Sequence, residues 1–244
     1  MTTDYQNRWT CDAADITTGS MNDIGGGKTA TLVNSPTISV GHINEAMTCS
    51  SGSPLKYATV ANDATLNITG NLTLSAWIKC TSPGAVGPGI LSKGEINTGE
   101  AYGLYVKYGD QTKAAAYIKT GGIWRTIEGA TKTINDGVWH HVAMTYDGAH
   151  VALYVDGALD VAAVAATGAV NTNTRLLCIG AYPRAAGIDT SSVFNGAIDD
   201  ARIYTRALSA PEIAALYTGV GGSLLSLMGY LSQNTPRLFP LKGY

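Results

Sequence analysis

The residues able to do acid–base chemistry are few and badly spaced for it. Five glutamates occur in the 244-residue chain: Glu45, Glu95, Glu100, Glu128 and Glu212. Glycoside hydrolysis needs two carboxyl groups about 5 to 9.5 Å apart across the scissile bond. A strand supplies such a pair at every second residue, because successive side chains alternate between its faces. None of the glutamates has an acidic residue two positions away. Asp199 and Asp200 are neighbours, so a regular strand turns them to opposite faces. His140 and His141 follow Trp139 with no nucleophile nearby to activate, and at least one reads as a hydrogen-bonded structural histidine. No phosphate-binding loop, dinucleotide fingerprint or serine elbow is present. The pattern predicts no enzyme, although residues distant in sequence can converge in a fold.

Binding chemistry has better material. Tyr102, Tyr108, Trp124 and Tyr182 fall in strand-like or glycine-rich stretches, and their ring faces suit the C–H surfaces of sugars. Each also has a plainer use in cross-strand packing. Cys11, Cys49, Cys80 and Cys178 form no C-x-x-C pair, which argues against zinc and redox sites. Two disulfides are possible by count. Cys80 and Cys178 close apolar runs, however, where a buried thiol behaves as a small hydrophobe. Charged residues make up 14% of the chain, against about 25% in a typical domain. With a net charge of −2, no electrostatic footprint for nucleic acid or an anionic membrane is expected.

These residues must be carried on strands. Leu72, Leu74, Ala76 and Ile78 alternate with Thr73, Ser75 and Trp77. Further strands are predicted at Tyr102–Val106, Ala114–Ile118, Trp124–Glu128, Trp139–Tyr146, Val151–Val155, Leu176–Ile179 and Ile198–Tyr204. Asp147-Gly148 and Asp156-Gly157 supply short turns. Such spacing predicts an all-β sandwich or barrel. One short helix is expected after Ser209, with Pro211 in its first turn, Glu212 completing a capping box, an apolar stripe of Ile213, Leu216 and Tyr217, and Gly219 as the stop. Beyond Gly221-Gly222 the composition changes. Leu224, Leu225, Leu227, Met228 and Leu231 form an apolar patch, and Leu238, Phe239 and Tyr244 lie in an extended segment with two prolines. That segment reads as a docking tail, for its own sandwich or for a neighbour. The expected organisation is therefore a sandwich over 1–218 and a tail over 219–244.

The order of the segments resembles laminin-G-like domains of the concanavalin A-like class. The runs that carry it are Leu74-Ser75-Ala76-Trp77-Ile78-Lys79, Ile90-Leu91-Ser92-Lys93-Gly94, Trp139 to Gly148, Leu153 to Gly157, and Phe194 to Tyr204 continuing into Arg206-Ala207-Leu208-Ser209. The resemblance covers about residues 9 to 218 and implies an antiparallel jelly-roll sandwich, in a family of modules that mostly are not enzymes. Enzymes on this fold present carboxylates in an E-x-D-x-x-E pattern, which is missing. The resemblance also implies a calcium ion on the rim, held here by Asp12 or Asp23 together with Asp199 or Asp200. In place of the family's Asp-x-Ser-Gly-Asn-Gly loop stands Asp23-Ile24-Gly25-Gly26-Gly27-Lys28, whose ammonium would replace the ion or repel it. Aspartates that only accept turn amides are the alternative.

The expected function is a non-catalytic surface module: a virion decoration, fibre or adhesion protein that also binds cell-surface glycans. A secreted lectin-like module is the alternative, and a glycan-active hydrolase the second one. Expected partners are further copies of the chain, or a scaffold or capsid protein reached through the tail. No apolar run reaches the roughly 18 residues of a membrane span. Met1 to Tyr5 shows no signal-peptide pattern, so a virion surface or extracellular setting is expected without one in this chain.

Overall fold

The computed structural model describes residues 5–84, 86–94, 99, 101–184 and 187–219. All the tail residues named above lie outside that set. In chain order the first strands are β1 (Asn7–Trp9), β2 (Ile16–Thr17), β3 (Ser20–Met21), β4 (Ala30–Val33), β5 (Thr37–Val40), β6 (Glu45–Cys49) and β7 (Tyr57–Val60). The middle of the chain gives β8 (Leu72–Lys79), β9 (Gly89–Lys93), β10 (Tyr102–Val106), β11 (Ala114–Thr120), β12 (Ile123–Glu128) and β13 (His140–Tyr146). The last are β14 (His150–Val155), β15 (Ala158–Ala165), β16 (Leu177–Ile179), β17 (Pro183–Arg184), β18 (Gly187–Ile188) and β19 (Gly196–Tyr204), followed by helix α1 (Ala210–Thr218).

An eight-stranded sheet runs β15-β14-β13-β8-β19-β6-β5, with β1 paired to β19; a nine-stranded sheet runs β12-β11-β10-β9-β16-β7-β4-β3-β2. Every strand pair is antiparallel. The fold is thus the antiparallel sandwich the sequence predicts. Its core holds Leu72, Leu74, Ala76 and Ile78 from β8 against Tyr102, Leu104 and Val106 from β10. β8 is buried on both faces except at Lys79, because the outer face of its sheet is covered too. There α1 lays Ile213 and Leu216 against Ala143, Ala152, Tyr154 and Tyr204.

Turn chemistry holds as expected. Asp156 and Gly157 both have positive φ, 52° and 77°, the two-residue turn whose twist matches that of its flanking strands. Asp147 accepts the amides of Ala149 and His150 at 2.8 and 2.6 Å, an Asx turn. Helix α1 starts with Ser209 N donating to Glu212 Oε2 at 2.8 Å and ends at Gly219 in the left-handed region. All four cysteines are buried free thiols. Among the described residues no helix is long and apolar enough to cross a membrane.

Candidate functional site

The outer face of the eight-stranded sheet carries two rows of side chains fixed by strand register. In the first, Trp77 on β8 lies between His141 on β13 and Asp199 on β19. The His42 ring stacks on the Trp77 indole with centroids 3.4 Å apart, and Tyr217 of α1 stacks at 5.6 Å. Trp77 is thereby almost wholly covered. Burial, reinforced by the Arg202 charge, pushes the His141 imidazole down to about 4, so it is neutral at physiological pH.

The second row lies one pleat further along. Thr48 pairs with Ala197 and Ala197 with Lys79. His140 pairs with Ile78, which brings the preceding Trp139 level with Lys79. Thr48, Ala197, Lys79 and Trp139, with Ser39, Thr81, Gly137 and Asn195, line an open groove of about 390 Å³. Its floor stays low because Ala197 projects only a methyl group, while Gly196, opposite Cys49, turns its empty side to the core. A Cβ at Gly196 would lie 2.5 Å from Lys79 O and 2.8 Å from Cys80 Cβ. Trp139 is partly exposed and held by its neighbours. The His140 ring sits between Asp156 and Asp136, each 3.0 Å from a ring nitrogen. Those hydrogen bonds, Asp156 first, raise the His140 pKa above its ordinary value. Gly137 N donates to Cys80 O at 2.9 Å and Val138 N to Asp136 at 3.1 Å, pinning the segment that presents the indole.

The aromatic residues expected to stack on sugars are placed differently. Tyr102 is fully buried and donates to Leu66 O at 2.7 Å; its side of β10 faces the core, so it is removed from the ligand-facing set. Trp124 and Tyr182 do meet, on the outer face of the nine-stranded sheet, in a cluster with Tyr105 and Tyr117. Tyr182 is buried there and leaves the set as well. Trp124 stays partly exposed but stacks one face on Tyr117, centroids 4.7 Å apart. Tyr117 in turn lies across Gly103, where a Cβ would come within 2.4 Å of the ring. Tyr108 is 67% exposed, beyond the end of β10. Trp139 and Lys79 were not singled out as site residues. Their signals were a tryptophan just ahead of a strand and a lone charge ending an otherwise apolar one.

The four aspartates expected to hold calcium are engaged otherwise. Asp23 Oδ1 accepts from Arg8 N and Gly25 N, and its Oδ2 from Asn7 Nδ2, Gly26 N and Lys28 N. Asp12 accepts from Asn44 Nδ2 and Glu45 N. Lys28 turns its ammonium to Asp63, 2.8 Å away. β19 departs from regular pairing: Asp199 lies opposite Trp77 and Arg202 opposite Ser75, three steps against two. This bulge overturns the expected alternation of Asp199 and Asp200. Asp200, at φ 50°, bonds Arg8 Nε at 2.6 Å and Arg202 Nε at 3.0 Å, with Arg202 Nη2 on its other oxygen. Its burial opposes ionisation, but Arg202 and Arg8 outweigh that and hold the carboxyl below the usual range. Asp199 Oδ2 accepts from His42 N and Ile43 N; its Oδ1 is buried without a partner. Burial raises the Asp199 carboxyl to about 7. Among the described residues no three His, Cys, Asp or Glu side chains converge as a metal site. The four aspartates therefore do not fit a calcium cage, and guanidinium groups occupy the place of a cation at Asp200. Both Asp199 and Asp200 are buried, and neither lines the groove.

A family model described as the concanavalin A-like lectin/glucanases superfamily matches residues 52–214. Among solved structures the chain is similar to the binding domain of Paraclostridial Mosquitocidal Protein 1, with a TM-score of 0.69 and 14% identity over 88% of this chain and 52% of that one. It is similar to domain 4 of AbnA, a GH43 extracellular arabinanase from Geobacillus stearothermophilus solved in complex with arabinotriose. There the TM-score is 0.68 and the identity 18%, over 87% of this chain and 98% of that domain. The botulinum neurotoxin serotype G binding domain gives a TM-score of 0.65 and 13% identity over 88% and 50%. The chain spans about half the length of the two toxin domains. At these identities the likeness is one of fold. No curated protein matches the chain.

Proposed function

Because the chain belongs to the concanavalin A-like lectin/glucanase superfamily, we propose that it is a non-catalytic glycan-binding module and that the groove beside Trp139 is its site. The observation that carries this reading is an indole fixed on the wall of a polar groove and left partly open. A clamped aromatic face beside hydroxyl and carboxamide groups is the chemistry a sugar ring needs: one apolar surface and donors at its edge. Ser39, Thr48, Thr81 and Asn195 supply the polar groups. The AbnA domain, matched over nearly its whole length, was solved with a bound oligosaccharide, which supports the reading by analogy of fold.

The particle-surface setting expected from sequence draws on the tail at 219–244, which from residue 220 on lies outside the described residues. Weak single sites of this kind become effective adhesion when presented in many copies, so glycan binding fits either setting. The test is calorimetric or NMR titration of the full chain with a panel of oligosaccharides, arabinotriose included. Binding by the wild type and its loss in Trp139→Ala, with an unchanged melting curve, is the expected result. Saturable binding that survives Trp139→Ala would move the site elsewhere, with Trp124 and Tyr108 the next surface to vary.

A further inference from the structure

We propose that the groove selects sugars bearing a carboxylate, and that Lys79 is the group that reads it. This rests on the glycan-binding reading above and names the class of sugar for the same site. Among the described residues that line the groove, Lys79 alone is charged. It ends β8 on the outward side, beyond Trp77 in the alternation, and no carboxylate lies within ion-pair distance of it among the described residues. Two other surface lysines are occupied: Lys28 pairs with Asp63, and Lys107 with Glu128 at 3.3 Å. The acid on the Trp139 wall, Asp136, is turned to Val138 N and to the His140 ring.

The layout matches one carboxylated pyranose. Trp139 and Lys79 stand on the same row of the sheet, so a ring lying on the indole brings its edge toward the ammonium. Ala197, on the side of Lys79 away from Trp139, keeps the row open toward Thr48. Across it, Thr48 offers a hydroxyl. Asn195 donates its Nδ2 to Ser82 O at 3.0 Å, which orients the carboxamide and leaves its oxygen as an acceptor for sugar hydroxyls. An ammonium beside a ring that binds weakly by itself contributes through a charge-assisted hydrogen bond, and about tenfold in affinity is the expected size of that contribution.

Hexuronic and sialic acids share this chemistry, and the experiment separates them. The full chain is titrated with trigalacturonic acid and with 3′-sialyllactose, each beside a neutral oligosaccharide of the same size, for the wild type, Lys79→Gln and Trp139→Phe. The expected result is that the wild type prefers one of the two acids by about tenfold, and less so at high salt. Lys79→Gln should erase that preference by lowering acid affinity more than neutral-sugar affinity, at an unchanged melting temperature. Trp139→Phe, which keeps an aromatic face, should weaken acid and neutral ligands alike. A wild type that binds neutral and acidic sugars equally, or a Lys79→Gln variant that keeps the preference, overturns the inference and leaves the glycan reading standing. Absence of binding to every sugar overturns both.

Discussion

The two outer faces of the sandwich both carry tryptophan and tyrosine, yet they use them differently. On the nine-stranded sheet Tyr105, Tyr117, Trp124 and Tyr182 close on one another. On the eight-stranded sheet Trp77 is roofed by His42 and Tyr217, while Trp139 is left on a groove wall. The neighbours across the strands make the difference. Gly103 lets the Tyr117 ring lie flat on the sheet and be covered by a second ring. Ala197 beside Lys79 is equally small, but among the described residues no ring fills the space over it. Within the described sandwich, an aromatic residue is open to a ligand where small neighbours leave a gap that no second ring covers.

The largest effect expected on that contrast comes from emptying the packed side. Tyr117→Ala should cost about 3 to 4 kcal/mol, as for other large-to-small changes at buried aromatics. Denaturant unfolding should show this while sugar titration of the surviving native protein stays unchanged. Gly103→Val, which forces the ring off the sheet, should act in the same direction at about 1 to 3 kcal/mol. If either variant also loses sugar binding, the two faces are coupled and the contrast fails.

The next effect tests what holds the open face in order. Asp200 is buried between Arg8 and Arg202, and removing one partner of a buried pair strands a charge. Arg202→Ala is expected to destabilise by about 3 kcal/mol, and Arg8→Ala by less, since Arg202 is two-pronged on the carboxylate. Equal small losses would mean that the bulge in β19 is held by its backbone instead.

Much of this was legible in the sequence. The alternation of Leu72 to Lys79, the Asp-Gly turns and the Ser209–Glu212 cap are local signals, and local physics decides them. The segment runs gave the family as a resemblance, and the family match over 52–214 agrees. The site was less legible, for two physical reasons. Whether a strand aromatic faces a ligand depends on what the opposite strand and the loops lay over it, so Tyr102 and Tyr182 looked equivalent to Trp124 until the sheets were in place. The bulge was hidden too: one extra residue in β19 turned adjacent aspartates from opposite faces to partners on one side, and no residue type announces it. Lys93 is a third case. It is fully buried, its ammonium held by Asn62 Oδ1 at 2.8 Å and Arg175 O at 2.6 Å, with partners some 30 and 80 residues away.

Asp199 gives a smaller effect that sharpens the contrast through pH. Its folded pKa, about 7, lies well above the ordinary carboxylate range, so the folded state favours the protonated form. The stability it contributes is complete below about pH 4 and is lost as the pH climbs toward 7. Asp199→Asn cannot ionise and should be free of that loss. The difference in stability between variant and wild type is therefore expected to grow from pH 4 to pH 7 and then level off, by on the order of 1 kcal/mol. A flat difference curve would show that the Asp199 carboxyl is solvated in the folded protein.

The smallest expected effect is that of calcium. Of the eight carboxylate oxygens on Asp12, Asp23, Asp199 and Asp200, seven already accept hydrogen bonds or ion pairs, leaving Asp199 Oδ1 alone. Calcium wants six to eight oxygens, so filling a cage here means taking Asp200 from two arginines or Asp23 from the amides that shape its loop. A ligand at a hundred times its Kd stabilises a folded protein by about 2.7 kcal/mol, which a melting curve resolves easily. Millimolar calcium and EDTA are expected to give the same melting temperature and the same sugar affinity. A rise with calcium that EDTA reverses would mean that Arg8 and Arg202 release Asp200 when the ion arrives. The order of the open face would then depend on a bound metal, as that of the packed tyrosine face does not.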